Sequence, residues 1–226
     1  MTYIKRAAED TIMRLSEMFP VLLVTGPRQV GKTTLLQKLA DVQKSKGLVR
    51  KYVTLDDPDA RYLAKHDPAL FLQRYSPPVL IDEIQYATEL LPYIKMSVDH
   101  SKKKGDFWIT GSRVFRLMNN VSESLAGRVG IVNLLGLSDA EIYKEPSEPF
   151  QTDPAHLMNR LSVRSPRSLN EIYGRIFKGS MPELYADEKV DWEIYYRSYV
   201  DTYLQRDIRD LAQVADEMQF YNFMTI

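Results

Sequence analysis

"VLLVTGPRQVGKTTLLQKLA", residues 21–40, sets five apolar or β-branched residues ahead of a loop with two glycines and a lysine, and a helical pattern follows. The loop matches a phosphate-binding pattern: Gly26, four residues, then Gly31, Lys32 and Thr33. Each residue type has a reason. Glycines let the backbone curl so that successive amides face the phosphates, and the helix N-terminus adds its partial positive charge. Lys32 is expected to reach the β- and γ-phosphates, and the Thr33 hydroxyl to ligate magnesium. Pro27, Arg28, Gln29 and Val30 fill the loop, and Thr34 stands next in the helix. Arg28 reads as a structural loop residue, with a phosphate contact as the alternative. By composition alone the pattern arises in on the order of one chain in a hundred of this length. A chance glycine turn would leave the strand before it and the helix after it unexplained.

Fifty residues beyond Lys32 the chain reads "VLIDEIQ", an apolar strand ending in two carboxylates. Beside a phosphate loop, Asp82 is expected to hold the magnesium and Glu83 to orient and deprotonate the attacking water. A P-loop kinase or a small switch GTPase does not usually place a glutamate directly after that aspartate. The pair, with a further strand ("RKYVTL") between the two motif strands in sequence, resembles the ATP-hydrolysing division of P-loop proteins.

The flanking sequence agrees. Ile4, Ala7, Ala8, Ile12, Leu15 and Met18 recur at helical spacing ahead of Pro20, which predicts an amphipathic helix. "DDPDARYLAKHDPALFLQRY" carries two helix starts, at Asp57 and Asp67, each an N-capping aspartate before a proline. A helix over about 88–102, a strand "DFWIT", a helix "RVFRLMNNVSESLAG" and a strand "RVGIVNLL" complete an alternation. Strands apolar throughout, alternating with helices, predict an α/β fold: a parallel five-stranded sheet flanked by helices. "SDAE" at 138–141 reads as a capping box. The Pro-, Ser- and Asp-rich stretch from about 145 to 166 reads as linker, and the tyrosine-rich remainder as helical, its tyrosines a half-buried packing face. Residues 1–140 are thus expected to form the nucleotide domain, and 141–226 a linker and partial helical module. The apolar end "FMTI", without a helix stop, suggests a longer parent chain.

Composition narrows the chemistry. Thirty basic residues balance thirty acidic ones, so no global charge calls for nucleic acid or membrane. Cysteine is absent, which removes disulfides, thiolate catalysis and zinc–cysteine sites and fits a reducing compartment. His66, His100 and His156 lack ligand spacing and read as solvated. No apolar run approaches the roughly 18 residues of a membrane span. The expected setting is cytoplasmic, without membrane.

Taken together, "FPVLLVTGPRQVGKTTLL", "LDDPDAR", "PPVLIDEIQYATELLPYIK", "WITGSR", "SLAGRV" and "YVDTYLQRDIRDL" resemble the prokaryotic AAA+-like ATPases related to the archaeal ATPase and STAND families. In these a P-loop domain precedes a C-terminal domain of unknown function. The resemblance implies a polar sensor at the end of the fourth strand, where Thr110 and Ser112 are candidates and Ser112 is preferred; a hydroxyl capping the next helix is the alternative. It also implies an arginine finger at Arg128, just before the fifth strand, reaching into a neighbouring subunit of a homo-oligomer. One departure is "KGSMPEL", where Ser180 replaces the second glycine of an expected pair. Any nucleic-acid partner would rest on winged-helix or nuclease-like segments outside these residues.

The expected reaction is magnesium-dependent hydrolysis of ATP to ADP and phosphate, driving a conformational or regulatory output. A STAND-like switch with little turnover and a DNA-associated regulator with a subsidiary ATPase are the alternatives.

Overall fold

The computed structural model describes residues 3–112, 121, 123–145, 151–163 and 166–203. They fall into two compact units, one within Ile4–Pro149 and the other of Tyr3 together with the residues from Phe150 on.

The first unit is built on five parallel strands: β1 (Val21–Thr25), β2 (Lys51–Thr54), β3 (Val79–Asp82), β4 (Phe107–Gly111) and β5 (Val129–Asn133), in the order β2-β3-β4-β1-β5. This bears out the predicted α/β class. Every residue of β1, β3 and β4 is buried, as apolar runs in a doubly covered parallel sheet require. The edge strands β2 and β5 are only partly buried, with Tyr52 and Ile131 exposed. Uniform burial, expected from the apolar sequences, therefore holds for the three inner strands alone.

Alternate strand residues face opposite layers. Val21, Leu23, Ile81, Phe107 and Ile109 share a cluster with Ala60, Phe71, Leu91 and Ile94 of α3 (Pro58–His66), α4 (Pro68–Arg74) and α5 (Leu90–Ser101). On the other face α1 (Glu9–Met18) and α2 (Lys32–Ser45) meet β1 and β4. There the buried Trp108 donates its Nε1–H to Ser16 Oγ at 2.8 Å and lies 4.0 Å beneath the Arg50 guanidinium. Burial lowers the Arg50 pKa to about 10, against the opposing pull of Asp106.

Helix starts follow the predicted chemistry. The Asp57 carboxylate accepts from the Asp59 and Ala60 amides, and Asp67 from Leu70, each ahead of a proline. Ser138 and Glu141 close the capping box of α6 (Asp139–Ile142). The N-terminal helix is shorter than its periodicity suggests, beginning at Glu9. Most of the helix expected over 113–127 lies outside the described residues, as do residues 204–226.

The second unit is helical over its described residues: Pro154–Val163, Leu169–Lys178, Glu183–Ala186 and Trp192–Tyr203. The first of these corrects the linker reading of 145–166. Asp153 accepts from the His156 amide at 2.8 Å ahead of Pro154, so an aspartate–proline start operates here too. Ser168 and Glu171 form a second capping box. Tyr195, Tyr196 and Tyr199 are half-buried and packed on one another, as a packing face requires. In "KGSMPEL", Gly179 carries φ 71°, and a Cβ there would meet the Tyr196 hydroxyl at 2.0 Å. Ser180 is not among the positive-φ residues, so the position that demands glycine has it.

Among the described residues no helix is long and apolar enough to cross a membrane.

Candidate functional site

Parallel strands end together. The residues after β1, β3 and β4 therefore meet along one edge of the sheet, and β4 lies between the two motif strands. Val24 pairs in register with Thr110, and Ile81 with Ile109. This strand order brings the loop at 26–31, Asp82, Glu83, Thr110 and Ser112 to one place.

The loop after β1 turns through backbone that favours glycine. Gly26 has φ 140° and Gly31 φ 86°, with Gln29 at φ 60° between them. At Gly26 a Cβ would fall 2.0 Å from the Leu134 carbonyl oxygen, so no side chain fits. Val30 and Lys32 are buried, Arg28 is half-buried, and Pro27, Gln29 and Thr34 are exposed. The Lys32 ammonium curls back over its own loop, donating to Gly26 O at 3.0 Å and Pro27 O at 2.7 Å. Lys32 thus keeps its charge within the loop curve while its stem is buried.

Asp82 gathers three hydroxyls. Thr33 Oγ1 donates to Asp82 Oδ1 at 2.6 Å, Thr110 Oγ1 donates to the same oxygen at 2.5 Å, and Tyr52 donates to Oδ2 at 3.5 Å. Burial, and secondarily the Asp82 charge, push the Tyr52 phenol above its ordinary pKa. Thr110 is fully buried and also accepts the Glu83 amide at 3.0 Å, so one hydroxyl spans the carboxylate pair.

Glu83 sits at φ 60° and ψ 47°, a left-handed conformation that costs a non-glycine residue on the order of 1–3 kcal/mol and persists only where the surroundings impose it. Its Oε2 accepts from Gln85 Nε2 and from Ser112 Oγ, the latter at 3.4 Å, while Gln85 also donates to Ser112 Oγ at 3.1 Å. Gln85 Oε1 is buried without a hydrogen-bond partner.

Arg128 stands apart. It precedes β5 and so lies at the opposite edge of the sheet, about 13–16 Å of strand from the loop. Its guanidinium pairs with Asp99 of α5, Nε to Oδ1 at 2.5 Å and Nη2 to Oδ2 at 3.0 Å. That hydrogen bond holds the Asp99 carboxyl below its ordinary pKa.

Three residues of this neighbourhood escape a reading of the sequence, the first being Tyr52, which appears there only as part of a strand. Gln85 follows Glu83 by two positions, a spacing that no general rule marks. Arg6 lies ahead of α1, far from either motif, and bonds the Val30 carbonyl at 2.8 Å.

A glycine loop after β1, an acidic pair at the end of β3 and a polar β4 terminus between them lie on the parallel sheet of a P-loop NTPase fold. The chain belongs to the AAA domain family, which it matches over residues 18–143. Residues 169–226 match a domain of unknown function. Uncharacterized proteins of Mycobacterium tuberculosis and Mycobacterium bovis are each 31% identical over 209 residues, covering 92% of this chain and 40% of theirs. The chain thus spans well under half the length of these relatives. Among solved structures, a Walker-type ATPase of Pyrococcus abyssi is similar with a TM-score of 0.54 and 16% identity, covering 94% of this chain and 75% of that one. That likeness concerns the fold.

Proposed function

We propose that the chain binds magnesium-ATP in the loop 26–34 and hydrolyses it to ADP and phosphate. The observation that carries this reading is the contact between Thr33 Oγ1 and Asp82 Oδ1 at 2.6 Å, with Glu83 one residue further on. It joins the loop helix to the acidic pair across the intervening strand.

The donor set fits magnesium. Thr33 and Asp82 offer one hydroxyl and one carboxylate, and the described residues hold no group of three or more His, Cys, Asp or Glu side chains able to cage a metal. Magnesium takes few protein ligands of this kind and fills the rest with water and phosphate oxygens. When bound it neutralises charge on the β- and γ-phosphates.

Gly26, Pro27, Arg28, Gln29, Val30, Gly31, Lys32, Thr33 and Thr34 form the binding loop and helix start, with Lys32 as its cation. Glu83 takes a proton from water as the water oxygen bonds the γ-phosphorus. The bond from that phosphorus to the β–γ bridging oxygen breaks, and ADP leaves. Ser112 steadies Glu83 and the water. Arg128 serves as a finger for a neighbouring copy, since it lies at the far edge from its own loop. The nucleotide domain runs to about residue 140, a helical module follows, and the output is conformational or regulatory in the cytoplasm.

The amide of Gln85 against Glu83 favours a second reading, a nucleotide-gated switch of low turnover, because the Glu83 Oε2 is already engaged by a side-chain donor instead of standing open to a water. Phosphate release by the purified chain decides between them. Steady turnover supports the ATPase; tightly held, unhydrolysed ATP supports the switch.

A further inference from the structure

Arg6 reaches the phosphate loop from outside the site. Its side chain is 6% exposed and its donors are shared among three segments. Nη1 bonds Val30 O at 2.8 Å, Nη2 bonds Leu135 O at 2.8 Å and Gly136 O at 3.2 Å, and Nε bonds Glu141 Oε1 at 2.9 Å. Glu141 also accepts the Ala7 amide at 2.7 Å and, through Oε2, the Ser138 amide at 2.7 Å. The N-terminal segment, the loop residue before Gly31 and the chain leaving β5 therefore converge on one guanidinium.

The bond to Val30 has a consequence for the site. A peptide unit is planar and trans, so its carbonyl and the following N–H point in opposite directions. Holding Val30 O against Arg6 turns the Gly31 N–H to the side away from Arg6. Gly31, at φ 86° and ψ 26°, caps α2, and its amide is one of the donors that a helix start presents to an anion. A guanidinium suits this task. It stays charged at any physiological pH and spreads five donors over a rigid plane, enough for several carbonyls and a carboxylate together.

We infer that Arg6 is a positioning residue for phosphate binding, aiming the Gly31 amide and, through Glu141, making loop geometry depend on the segment 135–141. The inference rests on reading residues 26–34 as a phosphate loop. A merely structural arginine would support stability while leaving the phosphate affinity of the folded protein unchanged.

The test uses the full chain, measuring magnesium-ATP affinity by calorimetric titration and the nucleotide-free thermal midpoint by circular dichroism. Arg6→Ala is expected to weaken affinity by about ten-fold or more, the worth of one hydrogen bond to a charged group. Arg6→Lys keeps the charge but cannot span the same acceptors, and recovers only part of the loss. Glu141→Gln keeps the shape and weakens affinity by about three-fold or more. A folded Arg6→Ala variant that binds within about two-fold of wild type, with only its midpoint lowered, overturns the inference. If Arg6→Ala does not fold, the other two variants decide, and wild-type affinity in both overturns it. Lys32→Ala separates the layers: undiminished binding there removes the phosphate-loop reading and this inference together. Loss of binding in Lys32→Ala with unaffected Arg6 and Glu141 variants removes the role of Arg6 alone.

Discussion

The Thr33 hydroxyl and the Asp82 carboxylate meet at 2.6 Å although 49 positions separate them in the chain. One lies in the first turn of the helix after β1 and the other ends β3, two strands that are not neighbours. The contact exists because β4 holds them one strand apart and supplies Thr110, which donates to the same Asp82 oxygen at 2.5 Å. The proposed metal and water residues are thereby set by strand order.

Lys32→Ala should remove nearly all magnesium-ATP affinity. Lys32 is the cation folded over the loop, against Gly26 and Pro27 carbonyls, and is 5% exposed. Titration calorimetry reads the loss directly. Affinity close to wild type would count against the assignment of the loop.

Glu83→Gln should keep nucleotide binding while turnover falls by about two to four orders of magnitude, the usual worth of a positioned base. Coupled phosphate-release kinetics measure it. Unchanged turnover would show that another group takes the proton.

Thr110→Val preserves shape but removes both the donor to Asp82 and the acceptor of the Glu83 amide. A buried N–H left unpaired costs about 1–3 kcal/mol, so urea unfolding should register a loss of that order. Thr110→Ser, which restores the hydroxyl, should recover stability and turnover. A neutral Thr110→Val would mean that the hydroxyl does not organise the pair.

Arg128→Ala should leave ATP binding intact and change the thermal midpoint little, because its partner Asp99 is an exposed surface residue. If Arg128 serves a neighbouring copy, activity per molecule rises with protein concentration, and the substitution abolishes that rise. An arginine finger is worth about three to five orders of magnitude in rate. Mixing Arg128→Ala with Glu83→Gln should restore partial activity, since a mixed interface pairs an intact finger with an intact base. A mixture that assembles and stays inactive would rule out the trans role.

Acid should weaken the strap at Glu141. Burial pushes this carboxyl up, but hydrogen bonds from the Ser138 and Ala7 amides and from Arg6 outweigh it, leaving the pKa below the ordinary 4.5. A folded pKa below the unfolded one means that the stabilisation is complete above about pH 5 and is withdrawn as pH falls through 4.5 towards the folded value. The gap in thermal midpoint between wild type and Glu141→Gln should therefore be constant near neutrality and close in acid. A gap that widens in acid would contradict the lowered pKa.

What could be read along the chain was local. The loop after β1 announces itself because φ above zero demands glycine at Gly26 and Gly31, and because the proposed phosphate cradle calls for a cation such as the adjoining Lys32. The helix starts at Asp57, Asp67 and Ser138 were legible for the same reason: a capping side chain bonds an amide two or three residues on. Asp153 used that signal too, and the surrounding prolines and serines concealed it. Strand order was different in kind. Pairing of parallel strands joins residues far apart in sequence, and nothing in the apolar runs of β1, β3 and β4 states that β4 lies in the middle, or that β2 and β5 are edges. Only the folded sheet makes Thr110 a shared partner of Asp82 and Glu83, and sets Arg128 at the far edge against Asp99. Arg6 shows the limit most plainly: an arginine in a polar N-terminal run carries no mark of its partners, because Val30, Leu135 and Glu141 reach it only once the sheet has closed.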